Sequence, residues 1–317
     1  MGDPAGVGPE IIAKALADPE IRNICSPIVI GSQRVLDEAF RIAGKTFRVH
    51  VAASPAHTDP SPDVLNLLEA GELTAFERNR PSPLSGDASV RYIEKAVDLA
   101  LRKEVDGIVT SPISKEALKM AGYPWPGHTE MIAEKCGVRN YAMMLAGGPL
   151  RVILVTIHTA LRNVPGLIRK DSVLRTIKLA KRACDMLGIK DPRIAVAGLN
   201  PHAGEAGMFG DEETYAISPA VEDAKREGLP VSGPHPPDTV FHKAYKGEID
   251  MIVCMYHDQG LIPLKMICFD TGVNATIGLP IIRTSPDHGT AYDIAWKGIA
   301  SPSSMIAAIK LAARLRI

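Results

Sequence analysis

Arg151-Val-Ile-Leu-Val-Thr-Ile-His158, Arg193-Ile-Ala-Val-Ala-Gly-Leu-Asn-Pro-His202 and Asp250-Met-Ile-Val-Cys-Met-Tyr-His257 are three apolar runs that each end in a histidine. Short, β-branched runs of this kind are typical of buried strands in a parallel sheet. The carboxyl ends of parallel strands meet at one edge of the sheet, where they line a ligand crevice. Three imidazoles at that edge can hold a divalent metal and leave a coordination position open for substrate. A single histidine after a strand is more often a turn residue, but the shared placement of three favours a common site.

The segments around these runs indicate an α/β fold. The strand candidate Pro27–Gly31 is followed directly by the amphipathic helix candidate Ser32–Ala43, and similar pairs recur along the chain. Strands that alternate with helices predict βαβ units and a mostly parallel sheet. The exception is Tyr141–Leu150, which we interpret as an antiparallel hairpin that turns at Gly147 and Gly148.

Length and composition limit the function classes. The 317 residues are enough for two domains, and the 36 Lys+Arg residues balance the 36 Asp+Glu residues. Because there is no basic stripe and no nucleic-acid motif, we expect no nucleic-acid partner. No apolar run reaches the length of a membrane span, so we expect no membrane partner either. The five cysteines lack a C-x-x-C pair, which favours free thiols in the reducing cytoplasm.

Two segments are candidates for crossovers between domains. Gly122–Gly127 contains two prolines and cannot be helical, and Gly272–Gly278 is the second candidate. We therefore predict one domain from residues 1–124 with 276–317 and another from residues 125–275.

Several motifs carry residue types suited to anions. Gly2–Glu10 is a glycine-rich turn before a helix, although it lacks the G-x-G-x-x-G spacing of a dinucleotide fold. Gly127–Glu130 starts a helix whose exposed amides serve either capping or anion binding. Arg283 lies in the apolar segment Gly278–Ser285, a setting that suits a bidentate contact to phosphate or carboxylate.

Two acidic positions point to further roles. Asp238 lies in a proline-rich loop, where it serves either as a helix cap or as a charged group facing a metal site. The loop Asp287–Asp293 contains small residues, a glycine and two acids. An acid in such a loop can bind the ribose hydroxyls of NAD and repel the extra phosphate of NADP.

Together these segments resemble the 4-hydroxythreonine-4-phosphate dehydrogenase family, and they follow its order along nearly the whole chain. The matching segments are Gly2–Glu10, Gly127–Glu130, Thr156–His158, Leu199–Glu205, Pro237–Phe241, Met255–Gly260, Gly272–Asn274 and Leu279–Asp293. The family is similar in turn to isopropylmalate and isocitrate dehydrogenases. The resemblance implies that fold, with two α/β domains, mostly parallel sheets and a cleft between the domains. It also implies a homodimer with the active site at its interface.

The resemblance further implies the activity and the residues. Family members use NAD and a divalent metal (Zn, Mg, Mn or Co) to oxidise the C3 hydroxyl of a phosphorylated four-carbon acid, which then loses CO2. By position, the metal ligands would be His158, His202 and His257, with donation of one across the dimer left open. The substrate-binding residues would be His128, Thr129, Lys265, Asn274 and Arg283. We predict Asp238 and Lys265 as the catalytic residues and leave open which of them is the base. The cofactor-binding residues would be Asp287, His288, Gly289, Thr290, Ala291, Asp293 and Ile294.

The resemblance also assigns the domains and leaves the substrate branch open. Residues 1–124 with 276–317 would carry the NAD adenosine loop, and residues 125–275 the metal, substrate and dimerisation surfaces. One branch of the family acts in pyridoxal phosphate biosynthesis. The other oxidises 4-phospho-D-threonate or 4-phospho-D-erythronate in sugar-acid catabolism and gives dihydroxyacetone phosphate. Met208–Glu213, Pro236–His242 and Gln259–Lys265 look more like the second branch.

Two departures from the family and two rival functions remain at this point. The family has a strand before the Gly2 loop, so we expect that the start of this sequence is truncated. Trp296 stands where related loops carry glycine, which affects the expected adenine pocket. A zinc hydrolase would also suit three histidines with an open position, but it has no need of the Asp287–Ile294 loop. A non-catalytic metal-binding protein is the other alternative.

Overall fold

The protein is described by a computed structural model, which covers residues 1–71, 73 and 75–317. The α-helices are Gly8–Ala15 (α1), Pro19–Ile24 (α2), Gln33–Ile42 (α3), Pro83–Leu101 (α4), Lys115–Met120 (α5), His128–Lys135 (α6), Val164–Leu167 (α7), Lys170–Met186 (α8), Ser218–Arg226 (α9), Pro237–Tyr245 (α10), His257–Cys268 (α11) and Ser303–Arg314 (α12). The strands are Ile28–Gly31 (β1), Arg48–Val51 (β2), Val64–Glu69 (β3), Gly107–Val109 (β4), Ala142–Gly147 (β5), Leu150–Leu154 (β6), Ile194–Ala197 (β7), Val231–His235 (β8), Met251–Cys254 (β9), Val273–Ile277 (β10) and Ile282–Pro286 (β11).

The described chain forms two compact units. The first contains Met1–Arg139 and Leu279–Arg314, and the second contains Asn140–Gly278 and Leu315–Ile317. The predicted first boundary lay at residue 124, before α6. Helix α6 lies in the first unit because it packs against α4 beyond the proline-rich turn.

The first unit contains a three-stranded parallel sheet in the order β1-β3-β2. Its central strand β3 is buried at every position from Val64 to Leu68. Four of these five residues are apolar, as expected of a parallel strand covered on both faces, and the side chain of the buried Asn66 bonds to backbone groups of Asp59. Strand β4 pairs in parallel with β11 in the same unit, and their register sets Arg283 opposite Ile108.

The second unit contains strands in the order β10-β5-β6-β9-β7-β8. The antiparallel pairs are β5 with β6 and β5 with β10, whereas β6, β9, β7 and β8 pair in parallel. The predicted antiparallel hairpin is therefore confirmed, but its turn consists of Gly148 and Pro149, one residue later than predicted, because Gly147 still pairs with Leu150. Strands β7 and β9 are buried at every position, as their apolar sequences require.

The register of the parallel strands places the ends of β6, β9 and β7 side by side. Leu154 of β6 lies opposite Cys254 of β9, and Val253 of β9 lies opposite Val196 of β7. The segments that carry the three histidines therefore leave the sheet at the same edge, as the sequence predicted.

The predicted fold class, α/β with mostly parallel sheets, is confirmed. The sequence patterns did not reveal β3, β8, β10 and β11, because polar residues, glycine or proline interrupt the apolar run in each of them. They also did not reveal α11, which begins at His257 directly after β9. None of the helices that the structure describes has both the length and the apolar character needed to cross a bilayer.

Candidate active site

Two of the three strand-end histidines lie next to each other. The ring centroids of His158, after β6, and His257, at the start of α11, are 5.6 Å apart. The Nδ1 atom of His257 lies 2.7 Å from Oδ1 of Asp258. A carboxylate on one ring nitrogen fixes the tautomer and leaves the other nitrogen for a metal, as is usual for metal-binding histidines.

The third histidine lies on a separate turn. Within residues 1–71, 73 and 75–317, no three His, Cys, Asp or Glu side chains converge into a metal-binding group. His202 lies in the turn Pro201–Gly207, and its ring centroid is 6.1 Å from that of Phe209. The structure thus brings His158 and His257 together, and His202 lies beyond the end of the neighbouring strand β7.

The turn that carries His202 has a left-handed backbone, and we call it the His202 turn. Its φ angles are 54° at His202, 57° at Ala203, 84° at Gly204, 43° at Glu205 and 54° at Ala206. Each non-glycine residue in this conformation costs roughly 1–2 kcal/mol. A run of four such residues persists only where surrounding contacts hold it, and such strain concentrates at functional sites.

A buried set of hydrogen bonds, which we call the strand-end network, joins the ends of β6, β9 and β7. The backbone N–H and the Oγ1 hydroxyl of Thr156 both donate to the Met255 carbonyl, over 3.2 Å and 2.7 Å. The Met255 N–H donates to Oε1 of Gln259 over 2.7 Å, and Nε2 of Gln259 donates to the Gly198 carbonyl over 2.7 Å. The network therefore sets the spacing of the three strand ends that precede the histidines.

Residues of the first unit form a second polar group around Arg283, which we call the anion pocket (Thr110, Ser111, His128 and Arg283). Arg283 is only 3% exposed, and its Nη2 donates to Oγ1 of Thr110 over 2.9 Å. Burial lowers the pKa of Arg283 to about 10, against the opposing effect of the Glu130 carboxylate. A cation that is desolvated to this extent gains from an anionic ligand.

His128 lies at the first position of α6 in the same pocket. Burial lowers the pKa of His128 well below 6.5, and the positive charge of Arg283 lowers it further. Among the described residues, neither the buried Nε2 atom of His128 nor the buried Oγ atom of Ser111 has a hydrogen-bond partner. Thr129, the next residue of α6, is buried as well. The pocket thus offers polar atoms that a bound ligand can satisfy.

The predicted cofactor loop, Asp287–Ile294, packs against the glycine-rich turn at the start of the chain. The Val7 N–H donates to the Thr290 carbonyl over 2.9 Å, and the Tyr292 hydroxyl donates to Oδ2 of Asp3 over 2.6 Å. A Cβ atom on Gly6 would lie 2.9 Å from Cβ of Thr290, so the close approach requires glycine. Burial raises the pKa of Asp3.

The outer part of this loop is open to solvent. His288, Gly289 and Asp293 are exposed, whereas Thr290, Ala291 and Ile294 are half-buried. Nδ1 of His288 lies 3.0 Å from the Gly289 carbonyl. Asp287 is also half-buried, and its N–H donates to Oγ of Ser304 over 3.3 Å.

Trp296 closes the loop at a position that favours glycine. Its φ angle is 61°, in the left-handed region. The indole Nε1 donates to the Pro4 carbonyl over 3.1 Å, and Arg78 lies 4.9 Å from the ring centroid. These contacts compensate the backbone strain and anchor the loop.

The remaining predicted residues lie in the second unit. Asn274 lies on β10, and its buried Oδ1 atom has no hydrogen-bond partner among the described residues. Lys265 is half-buried on α11. Asp238 is exposed in the first turn of α10 and does not cap that helix through its side chain.

Four residues that the structure places in or beside these sites were not predicted from the sequence. They are Thr110, Ser111, Glu213 and Gln259. Thr110 and Ser111 directly follow β4, so a search of every strand end for polar residues would have found them. Glu213 and Gln259 lie in segments that resemble the family, but the sequence did not indicate their roles, because the groups that they bond to belong to other strand ends.

The family model for the pyridoxal phosphate biosynthetic protein PdxA matches residues 23–312. A 4-hydroxythreonine-4-phosphate dehydrogenase of Trichlorobacter lovleyi is 52% identical over 99% of this chain and 96% of its own length. A D-threonate 4-phosphate dehydrogenase of Pectobacterium atrosepticum is 46% identical over 99% of this chain and 97% of its own length.

Solved structures give the same result. The crystal structure of a 4-hydroxythreonine-4-phosphate dehydrogenase from Klebsiella pneumoniae has a TM-score of 0.91 and 42% sequence identity. The comparison covers 100% of this chain and 97% of that chain. The similarity therefore extends over both compact units.

Proposed function

The chain belongs to the family of the pyridoxal phosphate biosynthetic protein PdxA, and from this premise we propose that it oxidises the C3 hydroxyl of a phosphorylated four-carbon acid. Because its relatives over nearly the full length are dehydrogenases, the protein is an oxidoreductase. We propose 4-hydroxythreonine 4-phosphate as the substrate, with NAD as the oxidant and loss of CO2 from the resulting β-keto acid.

The observation that carries the substrate class is the buried guanidinium of Arg283. It is desolvated, and the neutral hydroxyl of Thr110 accepts one of its hydrogen bonds. A planar guanidinium in such a place matches the oxygens of a phosphate or a carboxylate. Thr129 and Ser111 add hydroxyl donors on the same unit. Binding energy from a phosphate remote from C3 can position the reacting hydroxyl.

Two adjacent histidines of the second unit offer a starting point for a divalent metal. His158 and His257 lie side by side, and Asp258 occupies Nδ1 of His257, so that Nε2 is the nitrogen available to a metal. We propose His158, His202 and His257 as the ligands of zinc or another divalent ion (Mg, Mn or Co). When bound, such an ion polarises the C3 oxygen and stabilises the electrons released by decarboxylation.

The cofactor loop fits the adenosine end of NAD. Exposed backbone at His288 and Gly289 and the exposed carboxylate of Asp293 are available to a ligand on a loop that buried contacts hold in place. The carboxylate of Asp293 would accept hydrogen bonds from ribose hydroxyls and repel a 2′-phosphate, which favours NAD over NADP. The nicotinamide supplies the hydride acceptor.

The remaining residues bind and move protons in this proposal. Asn274 offers a buried amide oxygen that can accept from a substrate hydroxyl or amine. Lys265 would contact the substrate and take part in proton transfer at C3. Asp238 is exposed on α10 and is the second proposed proton-transfer group.

We also propose that the enzyme is a cytoplasmic homodimer whose active site lies at the interface. Helix α11, which carries His257 and Lys265, exposes a row of large apolar side chains. Met266 is 83% exposed and Phe269 is 77% exposed, and Ile262 is exposed beside them. A contiguous apolar surface of this kind is typical of an interface between subunits. Light scattering would show a mass of twice 34.0 kDa.

D-threonate 4-phosphate is the second candidate substrate, because a relative with that activity in its name is 46% identical over 99% of the chain. The two substrates differ mainly at C2, where one carries an amino group and the other a hydroxyl. One hydrogen-bonding partner therefore separates the two activities.

An NAD-reduction assay tests the proposal. The chelator-treated enzyme is assayed with 4-hydroxythreonine 4-phosphate, 4-phospho-D-threonate and 4-phospho-D-erythronate, with and without each divalent metal. We expect metal-dependent formation of NADH, release of CO2 and little reaction with NADP. Reduction of NAD with only the two phospho-tetronates would move the enzyme to the second branch. Metal-dependent hydrolysis of any of these three compounds without NADH formation would instead support the alternative function, a zinc hydrolase.

A further inference from the structure

The carboxylate of Glu213 is buried beside the His202 turn. Glu213 is 4% exposed and begins a π-helical turn, Glu213–Ile217. Its Oε1 atom accepts from the backbone N–H groups of Leu199 and Asn200, over 2.7 Å and 2.8 Å. Its Oε2 atom accepts from Nδ2 of Asn200 over 2.9 Å. All three donors are neutral amides, so charge-assisted hydrogen bonds stabilise the buried carboxylate.

Two glycines make room for this carboxylate. A Cβ atom on Gly198 would lie 3.0 Å from Oε1, and one on Gly204 would lie 2.8 Å from Oε2. Gly198 directly follows β7, and Gly204 is the third left-handed residue of the His202 turn. Glu213 therefore contacts the chain on both sides of His202, before the turn begins and at its centre.

The strand-end network continues into this contact. The Gly198 carbonyl accepts from Gln259, and the next two backbone N–H groups, of Leu199 and Asn200, donate to Glu213. The segment between β7 and His202 is thus held by hydrogen bonds through the Gly198 carbonyl and through the N–H groups of Leu199 and Asn200. Without the carboxylate, two backbone donors would lose their partners and the left-handed residues could relax toward the favoured right-handed region.

We propose that Glu213 is a positioning residue that holds the His202 turn in the shape needed for metal binding. The inference rests on the proposed metal site, in which His202 is a ligand. Glu213 itself touches neither substrate nor metal. It keeps the strained backbone of the turn in its metal-binding shape before the metal binds, so that metal binding does not have to supply the free energy of a rearrangement.

The neighbouring Glu212 supplies a matched control. Within the described chain, Glu212 accepts through a single oxygen, Oε2, from Nδ2 of Asn200 over 2.7 Å, and a glutamine amide oxygen can replace it. Glu213 uses both oxygens, so Glu213→Gln would place an amide donor against the Asn200 amide donor. Glu213→Asp keeps the charge but shortens the side chain by one methylene group.

The experiment compares the wild type with Glu213→Gln, Glu213→Asp and Glu212→Gln as full-length proteins. Zinc affinity is measured by competition with a chelating dye, and cobalt(II) serves as a spectroscopic probe of the ligand geometry. Hydrogen exchange of the Leu199 and Asn200 amides is followed in the metal-free protein, and thermal unfolding reports global stability. Loss of a residue that orients a metal ligand typically weakens metal affinity about 10- to 100-fold.

We expect that both Glu213 variants weaken zinc binding by at least about tenfold, change the cobalt spectrum and speed exchange of the two amides. The zinc affinity of Glu212→Gln should stay within about threefold of that of the wild type. If Glu213→Gln lowers thermal stability but binds zinc like the wild type, Glu213 is merely structural and the inference is wrong. A wild type that binds no divalent ion would overturn the proposed metal site and the inference with it.

Discussion

The strand-end network of the second unit and the anion pocket of the first unit both bury polar side chains, but they satisfy them differently. In the network, Gln259 and Thr156 bond to backbone groups of neighbouring strands. In the pocket, Nε2 of His128 and Oγ of Ser111 have no hydrogen-bond partner within the described chain. Burial also lowers the pKa of Arg283 to about 10.

This difference separates two ways to prepare a site. A satisfied network fixes geometry, and its hydrogen bonds contribute to the free energy of unfolding. Desolvated polar atoms in a pocket lower the free energy of unfolding of the ligand-free protein. A ligand that forms hydrogen bonds with these atoms removes that cost, and the gain contributes to the free energy of binding. Substitutions in the network should therefore reduce stability, whereas substitutions in the pocket should chiefly reduce binding of the substrate.

The largest expected effect concerns the histidines that the network positions. His158→Ala, His202→Ala and His257→Ala should each reduce NAD-dependent turnover by more than about a hundredfold, because each removes a ligand of the proposed metal site. Bound metal, measured by mass spectrometry of the native protein, should fall in parallel. The exposed His242 on α10 provides the control, and His242→Ala should keep the turnover and the metal content of the wild type. Full metal content and normal turnover in any of the three variants would remove that histidine from the site.

The next effect concerns Arg283 in the anion pocket. Arg283→Met keeps the alkyl bulk and removes the charge, so kcat/KM should fall roughly ten- to a hundredfold. The Tm of the ligand-free enzyme should stay the same or rise, because a desolvated cation is removed. Arg226→Met, at a surface position where the side chain is 75% exposed, is the control. A large drop in Tm together with unchanged kcat/KM would place Arg283 among the structural residues instead.

In the strand-end network, Gln259→Leu should chiefly reduce stability, whereas Arg283→Met in the anion pocket should chiefly reduce kcat/KM. The variant leaves the Met255 N–H and the Gly198 carbonyl without their partner. Each buried group that loses its hydrogen bond costs about 1–3 kcal/mol, so unfolding in urea should show a loss of roughly 2–5 kcal/mol. Gln33→Leu, at an exposed position on α3, should change stability by less than about 0.5 kcal/mol. Equal stability of Gln259→Leu and the wild type would show that the network does not stabilise the unit.

The smallest expected effect is the pH dependence that His128 adds to stability. Its pKa in the folded protein lies well below the usual 6.5, so below pH 6.5 the unfolded chain binds a proton that the folded chain does not. Stability should therefore fall as the pH drops below 6.5, by up to about 1.4 kcal/mol per pH unit from this group. His128→Gln should lack that part of the slope between pH 6.5 and pH 5 in urea unfolding. Parallel curves for the two proteins would show that His128 titrates normally.

The sequence alone determined the fold class and the position of most candidate residues. The hairpin at Gly147 and the strands before His158, His202 and His257 follow from local hydrophobic runs and turn residues, which act over a few positions. The arginine in an apolar segment and the acidic loop after β11 were visible for the same reason.

Only the tertiary structure decided how these residues are held. Gln259 bonds to a residue 61 positions away, and Arg283 bonds to one 173 positions away. No periodicity or spacing encodes such pairs, because they depend on which strands become neighbours in the sheet. The left-handed shape of the His202 turn is likewise unfavourable as a local conformation. Glu213 bonds to the two backbone N–H groups that precede this turn, and Gly198 and Gly204 leave room for its carboxylate.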